Sequence, residues 1–295
     1  MKLYHRHVDI LPNPRTRVQL PLINGDVRSG YTNSNYIRGP DGNPKSFIAT
    51  MGPKDQFLDV FWRMVWEDRV ETVIMVTGIV EGGRKKCAPY FPQVDTGKEA
   101  MMQVGDFKVT NKGITKFGPF QKSLMELQLG KEKRQVSHWW FTAWPDHGVP
   151  TLPNSDTFDV DSIINLIEEV QKDRTPNTGR VPQIVHCSAG VGRTGVTIAL
   201  QHAMHLLQTT GTVEPLTIID TIRNDRCLLV QHDKQYEYLH AAIQRWCQRI
   251  GQEYYVGKKP KEKKAPEKPD TTRKDRAVRQ EEKQLSSAAF DDVWV

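Results

Sequence analysis

The stretch PQIVHCSAGVGRTGVTIALQHAMHLL (182–207) constrains this chain more than any other. A short β-branched run ends at His186, a loop of small residues follows, and apolar residues recur at helical spacing from Gly192 to about Leu207. A strand that runs through such a loop straight into a helix aims backbone N–H groups and a helix N-terminus at one point, which suits a bound phosphate. Gly190 and Gly192 let the loop curl without Cβ clashes. Arg193 adds a planar fork matched to phosphate oxygens. Cys187 stands at the loop's first position, inside the same positive field, where a thiol ionises readily. A thiolate facing a bound phosphate is a nucleophile for phosphoryl transfer.

Two other phosphate-binding patterns compete for the same residues. GVGRTG is literally G-x-G-x-x-G between a strand and a helix, the dinucleotide fingerprint. That fingerprint requires a second strand with an acidic end after the helix, and TTGTVEPLT offers none. A Walker loop requires Lys after Gly195, where Val196 stands. The Cys-x5-Arg spacing itself is shared by several phosphatase types and by sulfur transferases.

The remaining segments predict a layered α/β domain. Residues 57–67 have the three- and four-residue apolar spacing of an amphipathic helix, whereas TVIMVTGIV (72–80) reads as a buried strand. VSHWWFTAW (136–144) is a further strand ended by Pro145, and 158–171, 216–223 and 235–249 are helical. Trp62, Trp66, Trp139 and Trp140 are expected in the core, with Cys87, Cys227 and Cys247 as small apolar residues in or near it. No CxxC pair or metal-ligand spacing joins the cysteines and histidines, so no metal or cofactor is expected.

Residues 1–256 form the expected domain, and from 257 onward the chain is rich in charge and proline, the composition of a disordered tail. Between Lys258 and Lys283 stand eleven Lys/Arg against six Asp/Glu, so the formal charge of +6 belongs mostly to this tail. The basic balance therefore gives the domain no nucleic-acid footprint. The tail is expected to be a spacer. Contact with an anionic membrane surface, or capture of the final AFDDVWV in a PDZ-type groove, are its minor alternatives. With no signal-peptide core and no apolar run of membrane-spanning length, the expected location is cytoplasmic, either alone or as the cytoplasmic portion of a longer receptor chain.

HCSAGVGRTG (186–195) together with WPDHGVP (144–150) resembles the tyrosine-specific protein phosphatase family, receptor and non-receptor alike. RVQL (17–20), NSNYI (33–37), FWRMVWE (61–67), KCAPYF (86–91) and VQHDKQY (230–236) follow in the family's order, so the resemblance covers about residues 5–250. It implies a central, mostly mixed twisted sheet flanked by helices, and hydrolysis of phosphotyrosine in proteins. Residue by residue, it implies that Cys187 attacks phosphorus, and that Arg193 with the amides of Ser188, Ala189, Gly190, Val191 and Gly192 holds the phosphate oxygens. Asp146 is the implied general acid and base, carried on a mobile loop hinged at Trp144 and Pro145. Gln231 positions water with help from Gln235, Thr194 stabilises the departing thiolate, and His186 supports that thiolate. Glu81 orients Arg193, Lys86 meets the closed acid loop, and Asp9 holds the substrate backbone.

The chain departs from the family's pattern in three places. His7 stands where an N-R-Y segment usually supplies the tyrosine that walls the pocket, Met51 replaces the usual Gln, and the family's leading helices are missing. His7 motivates an alternative, an impaired homologue that binds phosphotyrosine without turning it over. Ala189 and Val191 stand where lipid-specific relatives place lysines, which disfavours a phosphoinositide substrate.

Overall fold

The computed structural model describes residues 5–7, 9–94, 99–145, 148–174 and 181–253. The predicted tail and Asp146 lie outside the described residues. In chain order the elements are β1 (Arg17–Gln19), β2 (Tyr31–Ile37), β3 (Phe47–Met51), α1 (Leu58–Glu67), β4 (Thr72–Met75), β5 (Val80–Glu81) and β6 (Arg84–Lys85). There follow β7 (Ala100–Val104), β8 (Phe107–Lys116), β9 (Phe120–Leu129), β10 (Glu132–Phe141), α2 (Asp161–Asp173), β11 (Gln183–Cys187), α3 (Gly192–Thr210), α4 (Pro215–Asp225) and α5 (Asp233–Arg249).

Nine strands make one mixed sheet in the order β1-β2-β3-β11-β4-β10-β9-β8-β7. Its centre is parallel, with β11 between β3 and β4 and β10 beside β4, and both flanks are antiparallel. The central strands are apolar on both faces because helices cover both. Successive side chains alternate between two cores: Val73 and Met75 enter the one containing α1, whereas Ile74 and Val76 enter the one containing α2 to α5. Each fully buried aliphatic side chain of this kind contributes about 1.5–3 kcal/mol. α3 crosses the centre of the second core, buried from Val196 through Met204, and stops at Gly211 in the left-handed conformation.

Three expectations need correction. The strand expected over 72–80 ends at Met75, because the chain turns out of the sheet to form the β5–β6 hairpin. The strand expected over 136–144 begins at Glu132 and ends at Phe141; its polar start is long because all ten residues pair with β9. Cys227 is exposed, unlike Cys87 and Cys247, because it follows α4 on the surface side of the turn. Trp62, Trp66 and Trp139 are buried, and Trp140 is half-buried with its indole N–H donated to Thr77 O at 2.8 Å.

Candidate active site

Cys187 closes β11 at the carboxyl edge of the parallel centre, between Met51 of β3 and the end of β4. Ligands gather at such an edge because loops there open away from the strands and a helix N-terminus faces them. The following loop folds back over its own cysteine, and the Gly190 N–H donates to Cys187 Sγ at 3.3 Å. Gly190 has φ +75°, and a Cβ there would stand 2.2 Å from Thr50 O, so the curl demands glycine. Gly195 is needed for a different reason: its Cβ would meet Val230 N at 2.2 Å, where the Gln231 turn packs on α3.

The first turn of α3 starts at Gly192 with no side-chain cap on its amides. Arg193, in that turn, donates from Nη1 to Glu81 Oε1 at 2.6 Å and from Nη2 to Glu81 Oε2 at 2.9 Å. Nη2 also donates to Pro145 O at 3.0 Å, which ties the guanidinium to the WPD segment. Glu81 is itself fixed by the Gly78 N–H at 2.7 Å and the Thr77 hydroxyl at 3.1 Å. Both members of this ion pair are mostly buried, which makes a bidentate pair geometrically stiff. Lys86 Nζ approaches Glu81 Oε2 at 3.9 Å, and Lys86 O accepts from Ser188 Oγ at 3.0 Å.

An open cleft of about 210 Å³ brings together Cys187, Ser188, Ala189, Gly192 and Arg193 with Glu81, Lys86, Gln231 and Gln235. Gly148 and His232 complete its wall. Gln235 is buried with its Oε1 accepting from the Gln231 and His232 amides at 2.9 and 3.2 Å, so it fixes the turn beneath Gln231. His186, Val191 and Thr194 lie behind the cleft, all buried. The Thr194 hydroxyl is buried without a hydrogen-bond partner among the described residues. Trp144 is buried and donates to Gly148 O at 3.1 Å. Asp146, the next residue in the sequence after Pro145, lies outside the described residues. His7 and Asp9 are exposed and are not in the cleft wall. Arg6 beside them donates to Gly52 O and Pro53 O at 3.1 Å, just past β3.

The support behind the loop was not legible from motifs. Arg226 is fully buried, and among the described residues its hydrogen-bond acceptors are carbonyl and amide oxygens rather than carboxylates. It donates to Gly190 O at 2.8 Å and Ala189 O at 3.3 Å, and to the side chains of Asn33 and Asn35 at 2.9 Å. Burial lowers its pKa to about 10, so it stays charged at neutral pH. A second support runs through Tyr90. Its hydroxyl lies 2.7 Å from His186 Nε2 and 2.6 Å from His138 Nε2, while His186 Nδ1 lies 3.2 Å from Cys187 O. A carbonyl only accepts, so His186 carries its proton on Nδ1 and takes the Tyr90 proton at Nε2. His138 then donates from Nε2 to Tyr90, which leaves its Nδ1 bare, and that atom has no partner among the described residues. Burial holds His186 and His138 neutral, with pKa values lowered to about 4 and about 3. Burial likewise pushes Cys87 up to about 12, so it is a neutral thiol beside the loop.

A thiol, an uncapped helix N-terminus and a pinned guanidinium facing one cleft suit a tetrahedral oxyanion. Among the described residues no group of three or more His, Cys, Asp or Glu is arranged to hold a metal ion, and no helix is long and apolar enough to cross a membrane. The Protein-tyrosine phosphatase family matches residues 2–245. The chain is 38% identical over 242 residues to the receptor-type tyrosine-protein phosphatase C of Mus musculus, covering 81% of this chain and 18% of that protein. It is 37% identical over 240 residues to the Mus musculus receptor-type phosphatase R, covering 34% of it. It is 37% identical over 239 residues to the Rattus norvegicus non-receptor type 7 phosphatase, covering 62% of it. The chain thus spans less than two thirds of these relatives. A solved structure of PTPN18 in complex with HER2-pY1196 phosphopeptides matches with a TM-score of 0.73 at 32% identity, over 83% of this chain and 81% of that one.

Proposed function

The chain belongs to the protein-tyrosine phosphatase family, and on that premise we propose that it hydrolyses phosphotyrosine in proteins through a phosphocysteine intermediate at Cys187. The observation that carries this reading is the convergence of Cys187, the α3 N-terminus and the Glu81-pinned Arg193 on one cleft. The phosphotyrosine peptide in the PTPN18 match supports a protein substrate.

In the proposed reaction the Cys187 thiolate attacks phosphorus while Arg193 and the loop amides hold the equatorial oxygens. The bond from phosphorus to the tyrosyl oxygen breaks, and Asp146 delivers its proton to that oxygen. Water then attacks the phosphocysteine, its proton passes to Asp146, the P–S bond breaks and inorganic phosphate leaves. Gln231 aims the water. The Thr194 hydroxyl, buried with no hydrogen-bond partner among the described residues, serves as a donor to the departing thiolate beside the Gly190 N–H. His186 and Tyr90 fix the Cys187 carbonyl and with it the cysteine backbone. Trp144 and Pro145 anchor the acid segment, and Lys86 meets it. The cleft sits in a domain read as cytoplasmic, acting in signal transduction.

His7, exposed and outside the cleft wall but standing where the family's pattern has a tyrosine, motivates a second reading, a module that binds phosphotyrosine without turnover. Hydrolysis of matched phosphotyrosine and phosphoserine peptides by wild type, Cys187→Ser and Asp146→Ala separates the two. Tyrosine-only turnover, abolished by Cys187→Ser and strongly reduced by Asp146→Ala, is the expected result. Tight phosphotyrosine binding with no turnover by wild type leaves the binding module instead.

A further inference from the structure

The segment that carries His7 and Asp9 is fastened by its neighbours, and one of the fasteners is titratable. His5, two residues before His7, is buried. Its Nδ1 lies 2.7 Å from Asn33 Nδ2, and its Nε2 lies 3.2 Å from the Tyr31 hydroxyl. The Asn33 amide cannot be reversed, because Oδ1 accepts from Arg226 Nη2 at 2.9 Å while Nδ2 donates to Ile10 O at 2.9 Å. A reversed amide would aim N–H at a guanidinium and oxygen at a carbonyl. Asn33 Nδ2 is therefore a donor to His5, and His5 Nδ1 is a bare lone pair. The ring's single proton sits on Nε2, facing Tyr31. Asn33 joins this ring to Arg226, and Arg226 holds the carbonyls of Ala189 and Gly190. One buried amide thus links the N-terminal segment to the phosphate loop.

We propose that His5 is a positioning residue whose neutral ring seats the segment bearing His7 and Asp9, so that affinity for a phosphotyrosine peptide falls when His5 gains a proton. This rests on the reading that the cleft hydrolyses such peptides and that Asp9, outside the cleft wall, holds the peptide backbone as the family resemblance implies. Protonated His5 would point N–H at the Asn33 N–H, two donors with no acceptor between them, and the contact is lost. The groups facing the ring come from several elements. They are Arg226 after α4, Lys54 after β3 (its Nζ 3.5 Å from His5 O), Tyr31 of β2, and Arg17 of β1, 5.1 Å over the Tyr31 ring. Burial, then Arg226 and Lys54, lower the pKa of His5. Among the described residues the charges acting on this ring are all positive, so none steadies an imidazolium. The neutral form is the seated one, so seating is complete above the imidazole's pKa and is lost as pH falls through it.

The test is KM and kcat for a phosphotyrosine peptide between about pH 7.5 and 5.5, in wild type and His5→Asn. An asparagine amide accepts at the position of Nδ1 and does not titrate. The wild-type KM is expected to climb relative to His5→Asn as pH falls, approaching about ten-fold per pH unit below the pKa, with kcat profiles that superimpose. The substrate's own phosphate ionises near about pH 6, but acts on both proteins alike and cancels in the ratio. His186, His138 and His202 titrate at about 4, 3 and 4, outside this window. Ring-nitrogen NMR supplies a second readout, with His5 expected neutral and protonated on Nε2. Parallel KM profiles across the pH range in which NMR shows His5 gaining its second proton, or a proton on Nδ1 at neutral pH, overturn the proposal. If neither protein turns the peptide over, the phosphatase reading falls, and the pH dependence of peptide binding by the two proteins decides the role of His5 separately.

Discussion

Replacing Arg226 with methionine should loosen the phosphate loop from behind without touching the cleft. The fully buried guanidinium satisfies five separate acceptors, the carbonyls of Asn33, Ala189 and Gly190 and the side-chain oxygens of Asn33 and Asn35. Each acceptor left unsatisfied costs about 1–3 kcal/mol. The gain from no longer burying a charge returns several of these, so a net loss of about 3–5 kcal/mol is expected. For a domain of this size that lowers Tm by about 6–20 °C. Because two of the acceptors belong to the loop residues beside Cys187, kcat should fall at least about ten-fold in conditions where the variant is still folded. Arg226→Lys keeps the charge but not the fork, and should recover only part of either loss. Thermal unfolding and peptide turnover measured on the three proteins test this. An Arg226→Met protein with unchanged Tm and kcat refutes the view that this arginine braces the loop.

Glu81→Gln removes the carboxylate that takes both arms of Arg193. Activity on a phosphotyrosine peptide should fall about 10–100-fold in kcat/KM with the pH profile unmoved, and near-wild-type activity would show that Arg193 needs no anchor. Gly190→Ala puts a Cβ 2.2 Å from Thr50 O at φ +75°. It should abolish turnover and lower stability by about 1–3 kcal/mol, and full activity would mean the loop is not held in this curl. His186, His138 and His202 have folded pKa values lowered by burial to about 4, 3 and 4. The unfolded chain therefore binds protons that the native protein does not, and their stabilisation is complete above about pH 6.5 and is lost as pH falls toward 4. Each should cost about 1–2 kcal/mol at pH 5, read as a drop in urea midpoint from pH 7, and a midpoint that does not move between those pH values contradicts their neutral burial.

The parts of the molecule legible in the sequence are those whose local signals agree with the fold. The β11–loop–α3 unit could be read because a β-branched run, two glycines and a helical period meet within one short stretch, and α1 because its apolar face repeats at helical spacing. The apolar run after Thr72 misled because Val76 and Ile79 remain apolar while the backbone leaves the sheet to bring Thr77 and Glu81 to Arg193. The antiparallel strands β7 to β9 carry half-polar patterns, exposed on one face, and gave no firm signal. The cysteine, arginine and glutamines of the cleft follow motif positions, whereas Arg226 and His5 do not. A lone arginine in NDRC and a histidine in YHRH have no local mark of burial, and only the tertiary arrangement of Asn33 reveals them.

The central claim is covalent catalysis at Cys187, and trapping the intermediate tests it most directly. Wild type mixed with a phosphotyrosine peptide, quenched in acid within a turnover and digested, should yield a phosphate adduct on the peptide containing Cys187, absent from Cys187→Ser. Rapid turnover with no such adduct, or with phosphate on another residue, would contradict the account.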